Sequence, residues 1–413
     1  MINERDPHKH SEMKRKLSHG FSAKALLEQE DIVQGYVDKL IGQINVHGTR
    51  PEGDEMVKWY NFFTFDLIGD LAFGQSFGSL NDGMSKPHFW VSLLLGNVRA
   101  IAWRSVARWF PVFEKLGVWT VPKRVMEMRI KHSEYSRKMI VQQVPPLEQT
   151  WAESANLLSK TNEFEDYSQG FAFRTVRPRR PGHDYPRIIW PGQHNHVPSL
   201  FLRALPECLA TAGSETTATF LSGTTYHLLK NPRVYNLLAE EIRSAYNTYD
   251  EITDANASKL KYLSAVIDEG LRIYPPVGTG TYRESPGETV DGIYIPKGVE
   301  LSTSPWSTCH SPENFHDHEV FKPERWLDPA CTDKKHASQP FSLGSRVCIG
   351  RNLALKEIRL ALSKIFWVYE MELVNRGVDL NRDSTSFVLW DKPDLWVRFT
   401  RRPGVRVPVL DSE

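Results

Sequence analysis

The chain has 413 residues, 40% of them hydrophobic, and its 51 basic and 50 acidic side chains leave a formal net charge of +1. This balance argues against a nucleic-acid-binding protein, which needs a clustered excess of Lys and Arg, and the chain is not acidic enough to be disordered. The length fits one large domain or two ordinary ones.

The N-terminal part carries no signal for a membrane anchor. Residues 1–20 are charged rather than signal-like, and no apolar run approaches the length that spans a bilayer. Residues 10–40 have mixed helical spacing, with His10 and Lys14 four residues apart on one helical face. The simplest interpretation of that pair is a solvated basic helix.

Buried helices are predicted further along the chain. In residues 61–78 the apolar side chains recur at steps of three and four, as one stripe that faces a core: Phe62, Phe65, Ile68 and Ala72. Residues 217–246 and 258–274 also have helical spacing. The first of these is interrupted at Asn231-Pro232, because a proline pushes the preceding residue out of the helical region.

One segment differs from its surroundings. Residues 173–200 are rich in Pro, Arg and His and have no sustained period, which is unusual for such a length inside a compact domain. A disordered basic loop is one interpretation. Translated intron or frameshifted coding sequence is the interpretation that we favour.

Beyond Pro275-Pro276 the pattern changes to short strands bounded by turns, as in residues 288–301. After Cys348, apolar residues at helical spacing predict a long helix that is buried on one face. A last hairpin, with alternation around Lys392-Pro393, closes the chain. No internal repeat is visible.

Cys348 lies in the stretch FSLGSRVCIG, directly ahead of the long helix. None of the four cysteines has CxxC spacing, which argues against a zinc site or a disulfide framework and favours a reducing compartment. Backbone N–H groups and the helix dipole at this position are expected to lower the pKa of the thiol, and the thiolate is the form that binds metal. Gly344 and Gly350 would allow a tight fold around the sulfur, Phe341 would shield it, and Arg346 would pair with a carboxylate. If Cys348 is considered without its neighbours, the alternative interpretation is a buried structural cysteine.

The ten residues match the pattern FxxGxRxCxG, and the chain thereby resembles the cytochrome P450 superfamily. The resemblance implies that Cys348 is the axial ligand of the iron in haem b (iron protoporphyrin IX). It also implies a mainly α fold with small β-sheets (α+β).

A second motif lies in TAGSETTAT, residues 211–219. Ser and Thr can bond back to preceding carbonyls and distort a helix, so this stretch could open a site for dioxygen, with the Thr216 hydroxyl and the Glu215 carboxyl as proton donors. A helix N-terminus capped by Ser214 or Thr211 is the alternative. The family pattern [AG]Gx[DE]T[TS] is matched here, and the resemblance favours the oxygen-activating helix.

Further residues gain a role from the resemblance. Glu269 and Arg272 are three apart on one helix, and Arg325 in FKPERW is implied to join them in a buried charge cluster of structural importance. HSEMKRKLSHGFS resembles the helix of fungal members in which His10 and Lys14 would hold the haem propionates. Arg283 is implied to reach a propionate as well.

The resemblance covers residues 8 to about 80 and 208 to about 402, so we expect a single incomplete P450 catalytic domain over 1–413, with 173–200 as an anomalous loop or a faulty gene prediction. Relatives carry an anchoring helix and the first strands and helices ahead of this start. Pro206 removes a helix donor at a cost of about 3 kcal/mol or more, which puts the distal half of the haem pocket in doubt.

The function implied by the resemblance is a monooxygenase of fungal secondary metabolism that acts on a small lipophilic substrate of terpenoid or polyketide type. Electrons would come from NADPH through a separate reductase, because the chain has no GxGxxG fingerprint. The family expectation for location is the cytoplasmic face of the endoplasmic reticulum membrane. A truncated, non-catalytic haem-protein remnant and a haem-thiolate isomerase or dehydratase are the alternatives.

Overall fold

The computed structural model describes residues 4, 6–83, 127, 199–405 and 407, without the side chains of Phe73 and residues 199–208. Helices dominate this part of the chain. In chain order they are α1 (Pro7–Ser18), α2 (Ala23–Glu28), α3 (Glu30–Gln43), α4 (Met56–Phe73), α5 (Ser79–Asp82), α6 (Ser199–Lys230), α7 (Pro232–Ala245), α8 (Asp254–Ala257), α9 (Lys261–Ile273), α10 (Pro305–Cys309), α11 (Glu324–Leu327), α12 (Arg351–Val368) and α13 (Leu380–Asp383).

The described strands form small antiparallel sheets. They are β1 (Asp54–Glu55), β2 (Arg283–Glu284), β3 (Glu288–Val290), β4 (Ile293–Ile295), β5 (Glu300–Leu301), β6 (Tyr369–Leu373), β7 (Thr385–Ser386), β8 (Trp390–Asp391) and β9 (Trp396–Arg401). A three-stranded sheet has the order β1-β9-β6, and the pairs β2-β5, β3-β4 and β7-β8 form two-stranded sheets. The predicted class, mainly α with small β-sheets, is confirmed.

Helices α4 and α6 pack closely in the centre of the described core. The predicted stripe of α4 is confirmed, since Phe62, Phe65, Ile68 and Ala72 are all buried. A Cβ added at Gly213 of α6 would come within 2.8 Å of the Ile68 side chain. Glycine therefore lets the two helices approach, and a larger residue would force them apart.

The long helix α6 differs from the sequence-based expectation at its start. Its backbone is helical from Ser199 through Pro206 to Lys230, so the proline does not interrupt it. Most helical stability comes from tertiary packing, and the turns of α6 that follow Pro206 pack on α4 and outweigh one lost hydrogen bond. The predicted break at Asn231-Pro232 is confirmed, because Pro232 is the first residue of α7.

The C-terminal hairpin was misplaced by the sequence pattern. Strands β7 and β8 form a two-residue ladder in which Thr385 lies opposite Asp391, whereas β9 pairs with β1 and β6. Lys392-Pro393 therefore connects two different sheets instead of forming the hairpin turn. Period-2 alternation identifies strands but not their partners.

Two further expectations concern the segment 173–200 and membrane-spanning helices. Residues 173–198 of the anomalous segment lie outside the described residues, and 199–200 begin α6. Within the described ranges, no helix is both long enough and apolar enough to cross a membrane.

Candidate functional site

The loop before α12 is folded around Cys348 by backbone hydrogen bonds. The Cys348 N–H donates to the Phe341 carbonyl at 2.8 Å, and the Val347 N–H donates to the Gly344 carbonyl at 3.1 Å. Gly344 has φ +64° and Ser342 has φ +60°, a left-handed conformation that glycine adopts without steric cost. Gly350 has φ −83°, so the turn itself does not require glycine at that position.

The sulfur of Cys348 accepts hydrogen bonds from the backbone N–H groups of Gly350 and Arg351. These donors lower the pKa of the thiol, as expected, but desolvation by the surrounding protein atoms is the larger effect and raises its pKa above the ordinary value. The expectation of a lowered pKa is therefore wrong for the chain alone. Cys348 as a residue is exposed, and a metal that binds this sulfur must displace its proton.

Four basic side chains, His10, Lys14, Arg283 and Arg346, lie close enough together to affect one another and are called the basic cluster below. Burial and the positive charges of Arg346 and Lys14 lower the pKa of His10. Burial and the charge of Arg346 likewise lower the pKa of Arg283. Mutual repulsion of this kind favours binding of an anionic group.

Members of the basic cluster also brace the cysteine loop. The Lys14 ammonium donates to the carbonyls of Ser345 at 2.9 Å and Val347 at 3.0 Å, and Arg346 donates to the Glu4 carbonyl at 2.7 Å. Helix α1 is thereby held against the loop that carries Cys348. The structure therefore brings together the cysteine and all four basic residues that the sequence singled out.

These residues fit haem b on two observations. The Cys348 sulfur has N–H donors that stabilise a thiolate, and the basic cluster supplies the positive charge that two propionates require. Cys348 would hold the iron, and the basic cluster would hold the propionates. Phe341 is packed against the core beside them, with the Arg351 guanidinium 5.7 Å from its ring centre.

The charge cluster of Glu269, Arg272 and Arg325 lies between α9 and α11. Arg272 donates two hydrogen bonds of 2.9 Å to the Glu269 carboxylate, and Arg325 Nε donates a third at 3.2 Å. All three side chains are buried. Sequence reasoning missed a fourth member, Asp333, which forms an ion pair with Arg325.

The charge cluster holds the backbone of the segment that leads to the cysteine loop. Arg272 donates to the carbonyls of Cys309 and His318, each at 2.8 Å, and Arg325 donates to the His316 carbonyl at 2.9 Å. Charges that are removed from water in this way stabilise a fold only while all partners remain.

Glu215 and Thr216 lie in the middle of α6, not at a helix N-terminus. The Thr216 hydroxyl donates to the Ala212 carbonyl at 2.6 Å, and the Ser214 hydroxyl donates to the Ala210 carbonyl at 2.6 Å. This is the back-bonding that distorts helices. The Glu215 carboxylate forms an ion pair with Lys392, which the sequence did not predict.

Glu357 on α12 is another residue that sequence reasoning missed. It is buried, and desolvation raises the pKa of its carboxyl to about 8, although a hydrogen bond from Thr217 of α6 opposes part of this effect. The signal in the sequence was an acidic residue inside an otherwise apolar face. A protonated carboxyl thus connects the helix after the cysteine with the helix that carries Thr216.

Replacing Glu357 with glutamine is expected to remove a pH dependence of stability. The pKa of the Glu357 carboxyl is about 8 in the folded state and has its ordinary value in the unfolded state. At a pH between these two pKa values, the carboxyl is protonated in the folded state and ionised in the unfolded state. Wild-type stability therefore falls as pH rises through this window, by about 1.4 kcal/mol per pH unit from this group. Glu357→Gln lacks that loss. The difference in free energy of unfolding between Glu357→Gln and wild type, measured in urea, should therefore increase in favour of the variant by about 1.4 kcal/mol per pH unit.

The control is Glu240→Gln, at an exposed position on α7. Its stability relative to wild type should stay constant between about pH 5 and about pH 7. A constant difference for Glu357→Gln as well would contradict the raised pKa of this carboxyl.

Comparison with known proteins agrees with the resemblance of the cysteine loop. The family model described as Cytochrome P450 matches residues 200–398. The cytochrome P450 monooxygenase ORF9 of Penicillium roqueforti (strain FM164) is 40% identical over 398 residues, 96% of this chain and 72% of that protein. The cytochrome P450 monooxygenase BOT4 of Botryotinia fuckeliana is 38% identical, with 96% and 69% covered. The trichothecene C-4 hydroxylase of Trichoderma arundinaceum is 34% identical, with 95% and 75% covered.

Proposed function

This chain belongs to the cytochrome P450 family of monooxygenases, and on that premise we propose that it inserts one oxygen atom from O2 into a small lipophilic substrate of terpenoid or polyketide type. The observation that carries the proposal is the loop that presents the Cys348 sulfur next to the basic cluster. A relative that is named a trichothecene C-4 hydroxylase supports hydroxylation as the kind of reaction.

The haem, when bound, supplies a redox-active iron for dioxygen chemistry, with a thiolate ligand that favours O–O cleavage. Cys348 would provide that thiolate, and the N–H groups of Gly350 and Arg351 would stabilise the charge of the sulfur once the iron has displaced its proton. His10, Lys14, Arg283 and Arg346 would fix the propionates and thereby orient the ring.

Protons are needed whenever dioxygen is reduced, and two groups of α6 are suited to supply them. The Thr216 hydroxyl is half-buried and now donates to the Ala212 carbonyl, so it can turn to another acceptor by rotation about one bond. The buried Glu215 carboxylate lies one residue earlier. We assign both residues to proton transfer.

Electrons would come from NADPH through NADPH–cytochrome P450 reductase. The assignment of this partner rests on the family expectation for cytochrome P450 monooxygenases. We assign the enzyme to the cytoplasmic face of the endoplasmic reticulum membrane on the family expectation alone.

Oxygen-18 labelling tests the reaction type. The holoenzyme is incubated with the reductase, NADPH, labelled O2 and a panel of lipophilic terpenoids and polyketides, and products are analysed by mass spectrometry. We expect a product that carries one labelled oxygen atom and depends on NADPH. A product that forms without label or NADPH would instead support a haem-thiolate isomerase or dehydratase, and failure to retain haem would support a non-catalytic remnant.

Thr216→Val is expected to lower product formation by about 100-fold, because valine has the shape of threonine but cannot donate a proton. The measurement is product formed per NADPH consumed. Thr217→Val is the comparison on the same helix, since Thr217 is buried against Glu357, and it should retain most of the yield. Equal yields from Thr216→Val and wild type would refute the assignment of Thr216.

A further inference from the structure

A buried ion pair joins helix α6 to the segment after β8. Lys392 and Glu215 have side chains that are 2% and 1% exposed, and the ammonium contacts the Oε1 atom of the carboxylate. Lys392 also donates to the Thr219 hydroxyl at 2.8 Å and to the Trp390 carbonyl at 3.4 Å. All three donors of the ammonium are thus used.

The two oxygens of Glu215 have different surroundings. Oε1 accepts from Lys392 and, at 3.3 Å, from the Thr219 hydroxyl. Oε2 is buried and has no hydrogen-bond partner within the part of the chain that the structure describes. A buried carboxylate oxygen without a hydrogen-bond partner is energetically costly and needs an explanation, and a catalytic role is one such explanation.

The hairpin that precedes Lys392, formed by β7 and β8, is fixed by other contacts as well. Trp390 stacks on Tyr274 with ring centres 5.1 Å apart, and its Nε1 atom donates to the Pro275 carbonyl at 2.8 Å. At the tip, Val388 has φ +94°, which is an outlier for a β-branched residue. Such a conformation persists only where the surroundings hold it.

We propose that Lys392 is a positioning residue for Glu215. By holding Oε1, it fixes the rotamer of the carboxylate and leaves Oε2 as the atom that exchanges protons during dioxygen reduction. The same contact ties the hairpin, residues 385–391, to α6, so the position of the hairpin and the orientation of the Glu215 carboxylate depend on each other. This inference rests on the proposed function.

The amount of H2O2 released during the reduction of O2 can be measured without a substrate, and it depends on how protons are delivered. One NADPH supplies two electrons, and two electrons with two protons convert O2 to H2O2. Four electrons and four protons convert O2 to two molecules of water. Controlled proton delivery favours the second outcome, so a misplaced Glu215 should increase the H2O2 released per NADPH consumed.

The test compares holoenzymes of wild type, Lys392→Met and Lys392→Arg, each mixed with reductase and NADPH in air-saturated buffer without substrate. Methionine keeps the length of the side chain without the charge, and arginine keeps the charge. Lys392→Met should raise the H2O2 yield by about twofold or more and accelerate amide exchange in the hairpin by about tenfold. Lys392→Arg should restore both values towards wild type.

An unchanged H2O2 yield in Lys392→Met, with or without faster exchange, would overturn the inference, because the ion pair would then have at most a structural role. An Arg variant as defective as the Met variant would also overturn it. If wild type shows the carbon monoxide spectrum of a thiolate-ligated haem, these failures leave the proposed function intact. A wild type without that spectrum would refute the proposed function and this inference together.

Discussion

Replacing Cys348 with serine should abolish oxygen insertion, with product formation at least about 10³-fold below wild type, as for other groups that act in the chemical step. Serine is nearly the same size, but its hydroxyl does not become an anion near neutral pH. It therefore cannot provide a thiolate, even though the N–H donors of Gly350 and Arg351 would still point at it. The measurement is the labelled product of the oxygen-18 assay.

Cys331→Ser is the matched control for this substitution. Cys331 is a free, half-buried cysteine that belongs neither to the cysteine loop nor to the basic cluster, so its variant should keep wild-type turnover. A Cys348→Ser enzyme that retained more than about a tenth of the wild-type rate would contradict the assignment of the ligand.

Glu269→Gln is expected to produce the largest loss of stability among the substitutions considered, about 3–5 kcal/mol. Glutamine keeps the size of the side chain but leaves Arg272 and Arg325 buried with less compensating negative charge. The loss is large compared with the ordinary stability of about 5–15 kcal/mol for a whole protein. Because the charge cluster holds the carbonyls of Cys309 and His318, in the segment that leads to the cysteine loop, haem should be lost together with stability.

The free energy of unfolding in urea and the haem content measure these effects. Arg233→Ala breaks an ion pair with Glu324 in which the arginine side chain is 65% exposed, and it should cost no more than about 1 kcal/mol. A cost below about 1 kcal/mol for Glu269→Gln would show that the charge cluster does not support the fold as we argue.

Local spacing in the sequence was sufficient to predict contacts between residues that are close together in the chain. The stripe from Phe62 to Ala72 and the contact between Glu269 and Arg272 both follow from the 3.6-residue turn of a helix. The break at Pro232 follows equally from backbone chemistry. The fold class could therefore be predicted from helical periods and short turn-bounded strands.

Contacts between distant parts of the chain could not be predicted in this way. Lys392 and Glu215 are 177 residues apart, and no local pattern relates them. The predicted pairing of β9 in a hairpin around Lys392-Pro393 was wrong for the same reason. Strand pairing depends on which elements the core brings together. Family patterns identified Glu215 but did not identify the cation that holds it.

Burial was the other quantity that the sequence did not reveal. The N–H donors ahead of α12 were visible as a turn before a helix, and they do lower the pKa of Cys348. Desolvation of the sulfur outweighs them, and it depends on the packing of the whole loop. The same applies to Glu357, whose raised pKa results from complete burial between helices.

The spectrum of the reduced protein with carbon monoxide shows whether the Cys348 sulfur binds the iron. Wild type should give the red-shifted Soret band of a thiolate-ligated haem, and Cys348→Ser should lack it. An unshifted band in wild type, or a shifted band that survives in Cys348→Ser, would contradict the claim that the Cys348 sulfur binds the iron.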